Sequence, residues 1–75
     1  MPYLAMKLFP RDEETKKELV EKLNKVVVEV CKCPPEAISI SLEDITPEQW
    51  EVIRKEEIAP NLDKMYIHAG EKKYQ

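Results

Sequence analysis

Glycine occurs once and cysteine twice in these 75 residues, and neither count supports a scaffold built on that residue type. One glycine excludes a collagen repeat, a flexible glycine linker and a glycine-rich phosphate loop, and two cysteines are too few for a disulfide framework. Histidine also occurs once, so the usual catalytic triads have a single possible base, and no HExxH, GxSxG or P-loop pattern is present. No apolar stretch approaches the ~18 residues of a spanning helix, and the first residues lack the charged start and apolar segment of a signal peptide. A reduced, cytoplasmic protein without a membrane partner is therefore expected. Positive charge is not in excess either: 12 Lys plus Arg against 15 Asp plus Glu leave −3, which argues against nucleic acid as a partner. The length fits one domain, 1–75. A core of this size alone rarely supplies more than ~3–5 kcal/mol, so a partner subunit is expected to complete it.

Periodicity supplies the elements. Leu4, Met6 and Leu8 alternate with Tyr3, Ala5 and Lys7, the pattern of a strand buried on one face that opens at Pro2 and closes at Pro10. Asp12 reads as an N-cap with Glu13 and Glu14 in the first turn of a long helix. Leu19, Leu23, Val26, Val27 and Val30 form its apolar face, and Lys16, Lys17, Glu21, Lys25 and Lys32 its wet one. Pro34-Pro35 ends the helix. Ile38, Ile40 and Leu42, alternating with Ser39, Ser41 and Glu43, give a second strand too far along the chain for a tight hairpin, so the strands are expected to be parallel around the helix as a βαβ unit. Thr46-Pro47-Glu48-Gln49 opens a short second helix, with Trp50, Ile53 and Ile58 apolar and Pro60 as its limit. A short strand over Met65-Tyr66-Ile67-His68, a turn at Gly70 and a frayed polar end from Glu71 to Gln75 complete an α+β (α/β) chain.

Few residues carry chemistry on their own. Cys31-Lys32-Cys33 and His68 offer three metal ligands, but structural zinc takes four at wider spacings, so no metal is expected. Cys31 is read as a small apolar residue at the helix end, Cys33 as incidental, and His68 as an edge or surface residue. Glu43 and Asp44 point to opposite faces of a strand and are read as solvated. Pro2 differs. A proline after Met1 normally permits removal of that methionine, leaving a secondary amine on a rigid ring at the head of a strand. Model α-amino groups titrate at about 7.7–8.0, and desolvation or a nearby cation lowers that value by disfavouring the ammonium. A base poised near neutrality would follow. Taken alone, Pro2 marks no more than a processed terminus.

Pro2 opening an apolar strand, Arg11 just before an amphipathic helix, a second strand and the overall length together resemble the tautomerase superfamily that includes 4-oxalocrotonate tautomerase. Leu8-Phe9-Pro10-Arg11, Ile38-Ser39-Ile40, Pro47-Glu48-Gln49-Trp50 and Glu57-Ile58-Ala59-Pro60 look closest to its small dimeric bacterial branch, which acts on enols of phenylpyruvate-like 2-keto acids. The resemblance implies the tautomerase fold and a cofactor-independent isomerase, assembled as a homodimer or, alternatively, a hexamer. It assigns the general base to the Pro2 amine and the substrate carboxylate or carbonyl to Arg11. Trp50 falls where the family has an aromatic wall, although anchoring the second helix is an equally good role for it. The best-known members carry a second arginine where this chain has Ser39, which donates a neutral hydrogen bond and disfavours dicarboxylate substrates. The competing class is a ligand-binding or oligomerisation module that keeps the fold without the activity. A hydratase, dehalogenase or decarboxylase of the same superfamily is a further alternative.

Overall fold

Alternating side chains need a ladder partner before they can bury one face, and in the computed structural model that partner is parallel. The structure describes residues 2–74; Met1, with its expected removal, and Gln75, the last of the expected polar tail, lie outside the described residues. Strand β1 (Tyr3–Leu8) pairs with β2 (Ser39–Asp44), from Tyr3 opposite Ser39 to Leu8 opposite Asp44. In β1 the residues Leu4, Met6 and Leu8 are half-buried while Tyr3, Ala5 and Lys7 are exposed, as the period of two requires.

Helix α1 (Glu13–Cys31) joins the two strands and packs on β2. Asp12 stands at its N-cap, but the carboxylate accepts from the Thr15 hydroxyl and makes no cap bond to backbone N–H. That hydroxyl bond holds the Asp12 carboxyl below its usual range. The covered face is rotated from the expected one. Lys16, Leu19, Val20, Leu23, Asn24, Val27 and Val28 are half-buried, whereas Val26 and Val30 are 55% and 72% exposed. Lys16, expected on the wet side, has a side chain only 19% exposed and pairs with Asp44 at 2.8 Å. Its aliphatic stem covers apolar surface while the ammonium finds a carboxylate. Asp44, expected to be solvated, is that carboxylate. The helix ends at Lys32, in the left-handed region (φ 55°), whose N–H bonds the Val28 carbonyl. The two prolines follow, and Pro35 opens one 3-10 turn, Pro35–Ala37, before β2.

Residues up to Ile45 form one compact unit, and residues from Thr46 onward form a second. Helix α2 (Pro47–Ile53) begins with the expected capping box: the Thr46 hydroxyl accepts from the Gln49 N–H at 3.1 Å, and the Thr46 N–H donates to the Gln49 side chain at 2.8 Å. Pro60 does not stop the helical path. A π turn, Arg54–Ile58, is followed by a 3-10 segment, Ala59–Lys64, which places Pro60 in a first turn where its missing N–H costs nothing. The expected frayed tail is a return strand: β3 (Ile67–His68) pairs antiparallel with β4 (Glu71–Lys72). The two residues between them, Ala69 and Gly70, both have positive φ (50° and 83°), as a tight hairpin turn needs. Tyr66 and Tyr74 then meet with ring centroids 6.1 Å apart, and Lys72 lies over the Tyr74 ring at 5.9 Å.

Only one hydrophobic residue among the described residues is buried, Ile45 at 3% exposure. Burying an isoleucine contributes about 1.5–3 kcal/mol, which is small against the ~1–2 kcal/mol per residue spent on ordering backbone. No helix among the described residues is long and apolar enough to cross a membrane.

Candidate active site

Pro2 is half-buried at the head of β1, and its carbonyl accepts the Ser39 N–H at 3.2 Å. In a parallel ladder that bond is part of the Tyr3–Ser39 pair itself. It fixes the backbone around the proline, so the ring nitrogen has a defined place at the edge of the sheet. Ser39 is exposed beside it. Pro2 and Ser39 are therefore brought together at one end of the strand pair.

Arg11 is at the other end. From Pro2 to Leu8 the strand advances six residues, about 20 Å at the rise of an extended chain, and Arg11 lies beyond Leu8. Its guanidinium does not reach back: Nη1 donates to the Pro10 carbonyl at 2.9 Å and to the Phe9 carbonyl at 3.3 Å. Arg11 is exposed, with donors of its planar fork left for a ligand. Pro2 and Arg11 therefore stand beyond opposite ends of β1 in the chain. Trp50 belongs to the second unit, half-buried on α2, with its N–H bonded to the Thr46 carbonyl at 2.9 Å.

The remaining sequence candidates gather nowhere. Among the described residues no group of three or more Cys, His, Asp or Glu could hold a metal. The two thiols are free and their roles are exchanged relative to expectation, because Cys31 is exposed while Cys33 is half-buried with Sγ 3.9 Å from the Val27 carbonyl. The left-handed Lys32 turns the chain back, so the residue after it, not the last helical one, is covered. His68 is half-buried in β3.

Comparison with known proteins adds what geometry alone does not. A family model described as "Tautomerase enzyme" matches residues 2–54. The chain belongs to this tautomerase family. Tautomerase PptA of Escherichia coli O127:H6 is 37% identical over 72 residues, spanning 93% of this chain and 96% of that protein. PptA of Escherichia coli strain E24377A is 36% identical with the same coverage, and PptA of strain K12 / DH10B is 36% identical over 93% and 94%. The protein is thus a tautomerase, an isomerase, and its parallel β1–β2 pair with one long helix and a shorter second one is the α+β tautomerase fold. The tautomerase match starts at Pro2 and runs through Arg11, Ser39 and Trp50.

Proposed function

We propose that this tautomerase converts enols of small 2-keto acids to their keto forms without a cofactor, using the Pro2 amine as base once Met1 has been removed. The neutral nitrogen takes the enol O–H proton; the carbonyl forms as the carbon–carbon π pair takes a proton back at carbon from the ammonium. No net proton or electron is gained, so one base that returns its proton suffices. Arg11 of a second subunit holds the substrate carboxylate through its donor fork, and its positive charge disfavours the Pro2 ammonium, keeping the base neutral. Ser39 offers a neutral hydrogen bond in place of a second cation, which favours monocarboxylates with an apolar, phenylpyruvate-like tail. Trp50 supplies an apolar wall that excludes water and strengthens the local field.

One observation carries the reading: in a chain of this family, Pro2 heads the ladder strand while Arg11 is a strand's length, about 20 Å, away. A composite site between subunits reconciles the two. The homodimer also answers the thin core, since Tyr3, Val26 and Val30 are exposed apolar surface that a second copy can cover. In this reading residues 1–75 act as one domain, and a reducing cytoplasm suits the two free thiols.

Met1-free and Met1-retaining preparations, each verified by intact mass, are compared in an enol-to-keto assay. With Met1 attached the Pro2 nitrogen is an amide without a basic lone pair, so activity is expected at background while circular dichroism is unchanged. Equal activity in both would remove Pro2 as the base. An inactive Met1-free protein would favour the ligand-binding module.

A further inference from the structure

The segment that carries Arg11, residues 9–12, has neither helical nor strand pairing of its own. Both of its flanks are tied to the end of β2. On one side Leu8 is opposite Asp44 in the ladder, and the Leu8 carbonyl accepts the Ile45 N–H at 2.9 Å. On the other, the first helical bond of α1 runs from the Lys16 N–H to the Asp12 carbonyl at 3.1 Å, and the Lys16 Nζ reaches the Asp44 carboxylate at 2.8 Å. The two flanks are therefore tied to neighbouring residues at the end of β2, the β1 flank by the Ile45 N–H and the helical flank by the Asp44 carboxylate. The alternative acid, Glu13, is 4.0 Å from the same Nζ. Asp44 joins residues 28 positions apart, whereas the Glu13 contact stays within one turn. Lys16 is also confined, with a side chain 19% exposed in the line of half-buried helix residues, so it has less rotamer freedom to lose than a surface lysine.

We propose that Lys16 and Asp44 are positioning residues for Arg11: their ion pair fixes the β1–α1 connection so that the guanidinium meets the substrate carboxylate in one place. The inference rests on the reading of Arg11 as the carboxylate-binding residue. Neither Lys16 nor Asp44 touches substrate in this account. Without the pair, the connection keeps its Leu8 anchor but its helical flank moves, and a planar fork is sensitive to such displacement because both of its donors must align with the carboxylate.

The test uses the full Met1-free protein and two substrates, the enol of a 2-keto acid and that of its methyl ester, which lacks the carboxylate. The readout is the ratio of kcat/KM for acid over ester. Lys16→Met and Asp44→Asn are each expected to lower the ratio about 5–10-fold, mainly through KM for the acid, with ester kcat/KM within about twofold of the starting protein. Lys16→Arg, which retains the charge, is expected to restore most of it. Asp44→Asn keeps shape and volume, so it stays informative if Lys16→Met folds poorly. Arg11→Ala is the reference. If it lowers the ratio and the Lys16 and Asp44 variants do not, or if they lower acid and ester activity alike, the positioning role is overturned while the reading of Arg11 stands. If Arg11→Ala leaves the ratio unchanged, the reading of Arg11 itself fails. Lys16→Met added to Arg11→Ala is expected to lower the ratio no further, because a residue acting through Arg11 has nothing left to position.

Discussion

At the head of the β1–β2 ladder, Pro2 is tied by a neutral backbone bond from Ser39 at 3.2 Å; at the far end, a backbone bond at 2.9 Å is reinforced by the Lys16–Asp44 ion pair at 2.8 Å. The two ends serve different demands. In the proposed mechanism Pro2 is an amine that must stay neutral near pH 7, and a neighbouring carboxylate would stabilise its ammonium and raise its pKa. A guanidinium keeps its charge whatever its surroundings, so charged neighbours can be used to hold its backbone without changing its protonation.

The largest effect that tests this division is at the charged end. Arg11→Ala is expected to lower kcat/KM for a 2-keto acid enol by about 10²-fold, about 2.7 kcal/mol of transition-state stabilisation. Arg11→Lys is expected to recover part, because one ammonium replaces the charge but not the fork. Unchanged steady-state kinetics in Arg11→Ala would return that residue to a loop cation bonded to the Phe9 and Pro10 carbonyls.

A smaller effect tests whether the two ends belong to different subunits. Mixing a Pro2-blocked protein with Arg11→Ala, after dissociation and reassembly, gives mixed dimers in which one site inherits both defects and the other neither. Random pairing makes half the dimers mixed, so recovery to about a quarter of full activity is expected from two nearly inactive components. Absence of any recovery, with mixed dimers shown by native mass spectrometry, would place Pro2 and Arg11 in one chain's site and contradict the strand-length argument.

Much of the fold was legible because its signals are local. Alternation at Leu4, Met6 and Leu8, and at Ile40 and Leu42, needs only the pleat, and the Thr46–Gln49 box needs only three residues of helix. What escaped depended on partners distant in sequence. Lys16 looks like a wet lysine until Asp44 is known to lie across from it. The available signal was its place one turn before Leu19 and Val20 on the covered stripe. Val26 and Val30 continue the apolar spacing, but β2 does not cover them. Pro60 reads as a helix stop because a π turn, which shifts the bonding pattern, leaves no mark in composition. Glu71 and Lys72 are polar enough for a tail, and only the paired positive φ values at Ala69 and Gly70 make them a strand. The candidate site residues Pro2, Arg11, Ser39 and Trp50 were marked by type and resemblance. Nine positions of sequence between Pro2 and Arg11 look close until they are laid out as an extended strand.

The smallest expected effect compares the two helix starts, one in each unit. Thr46 bonds the backbone N–H of Gln49 and is answered by the Gln49 side chain, so Thr46→Ala removes a cap with both partners in place and is expected to cost about 1 kcal/mol. Asp12 spends its carboxylate on the Thr15 hydroxyl instead and makes no cap bond. Asp12→Ala is therefore expected to destabilise less than Thr46→Ala, and the two penalties differ in their response to pH. The Asp12 pKa is lowered in the folded chain, chiefly by the Thr15 bond. Its stabilisation is thus present above the unfolded value of about 3.9 and lost as pH falls through the folded one. Thr46 does not titrate. Urea midpoints at a fixed protein concentration, taken at pH 7 and again near pH 3, separate the two cases. The Thr46→Ala shift should persist while the Asp12→Ala shift shrinks; an Asp12→Ala shift as large as that of Thr46→Ala at pH 7 would mean that Asp12 caps α1 as strongly as Thr46 caps α2, and one that does not change with pH would mean that the ionised carboxylate is not what stabilises α1.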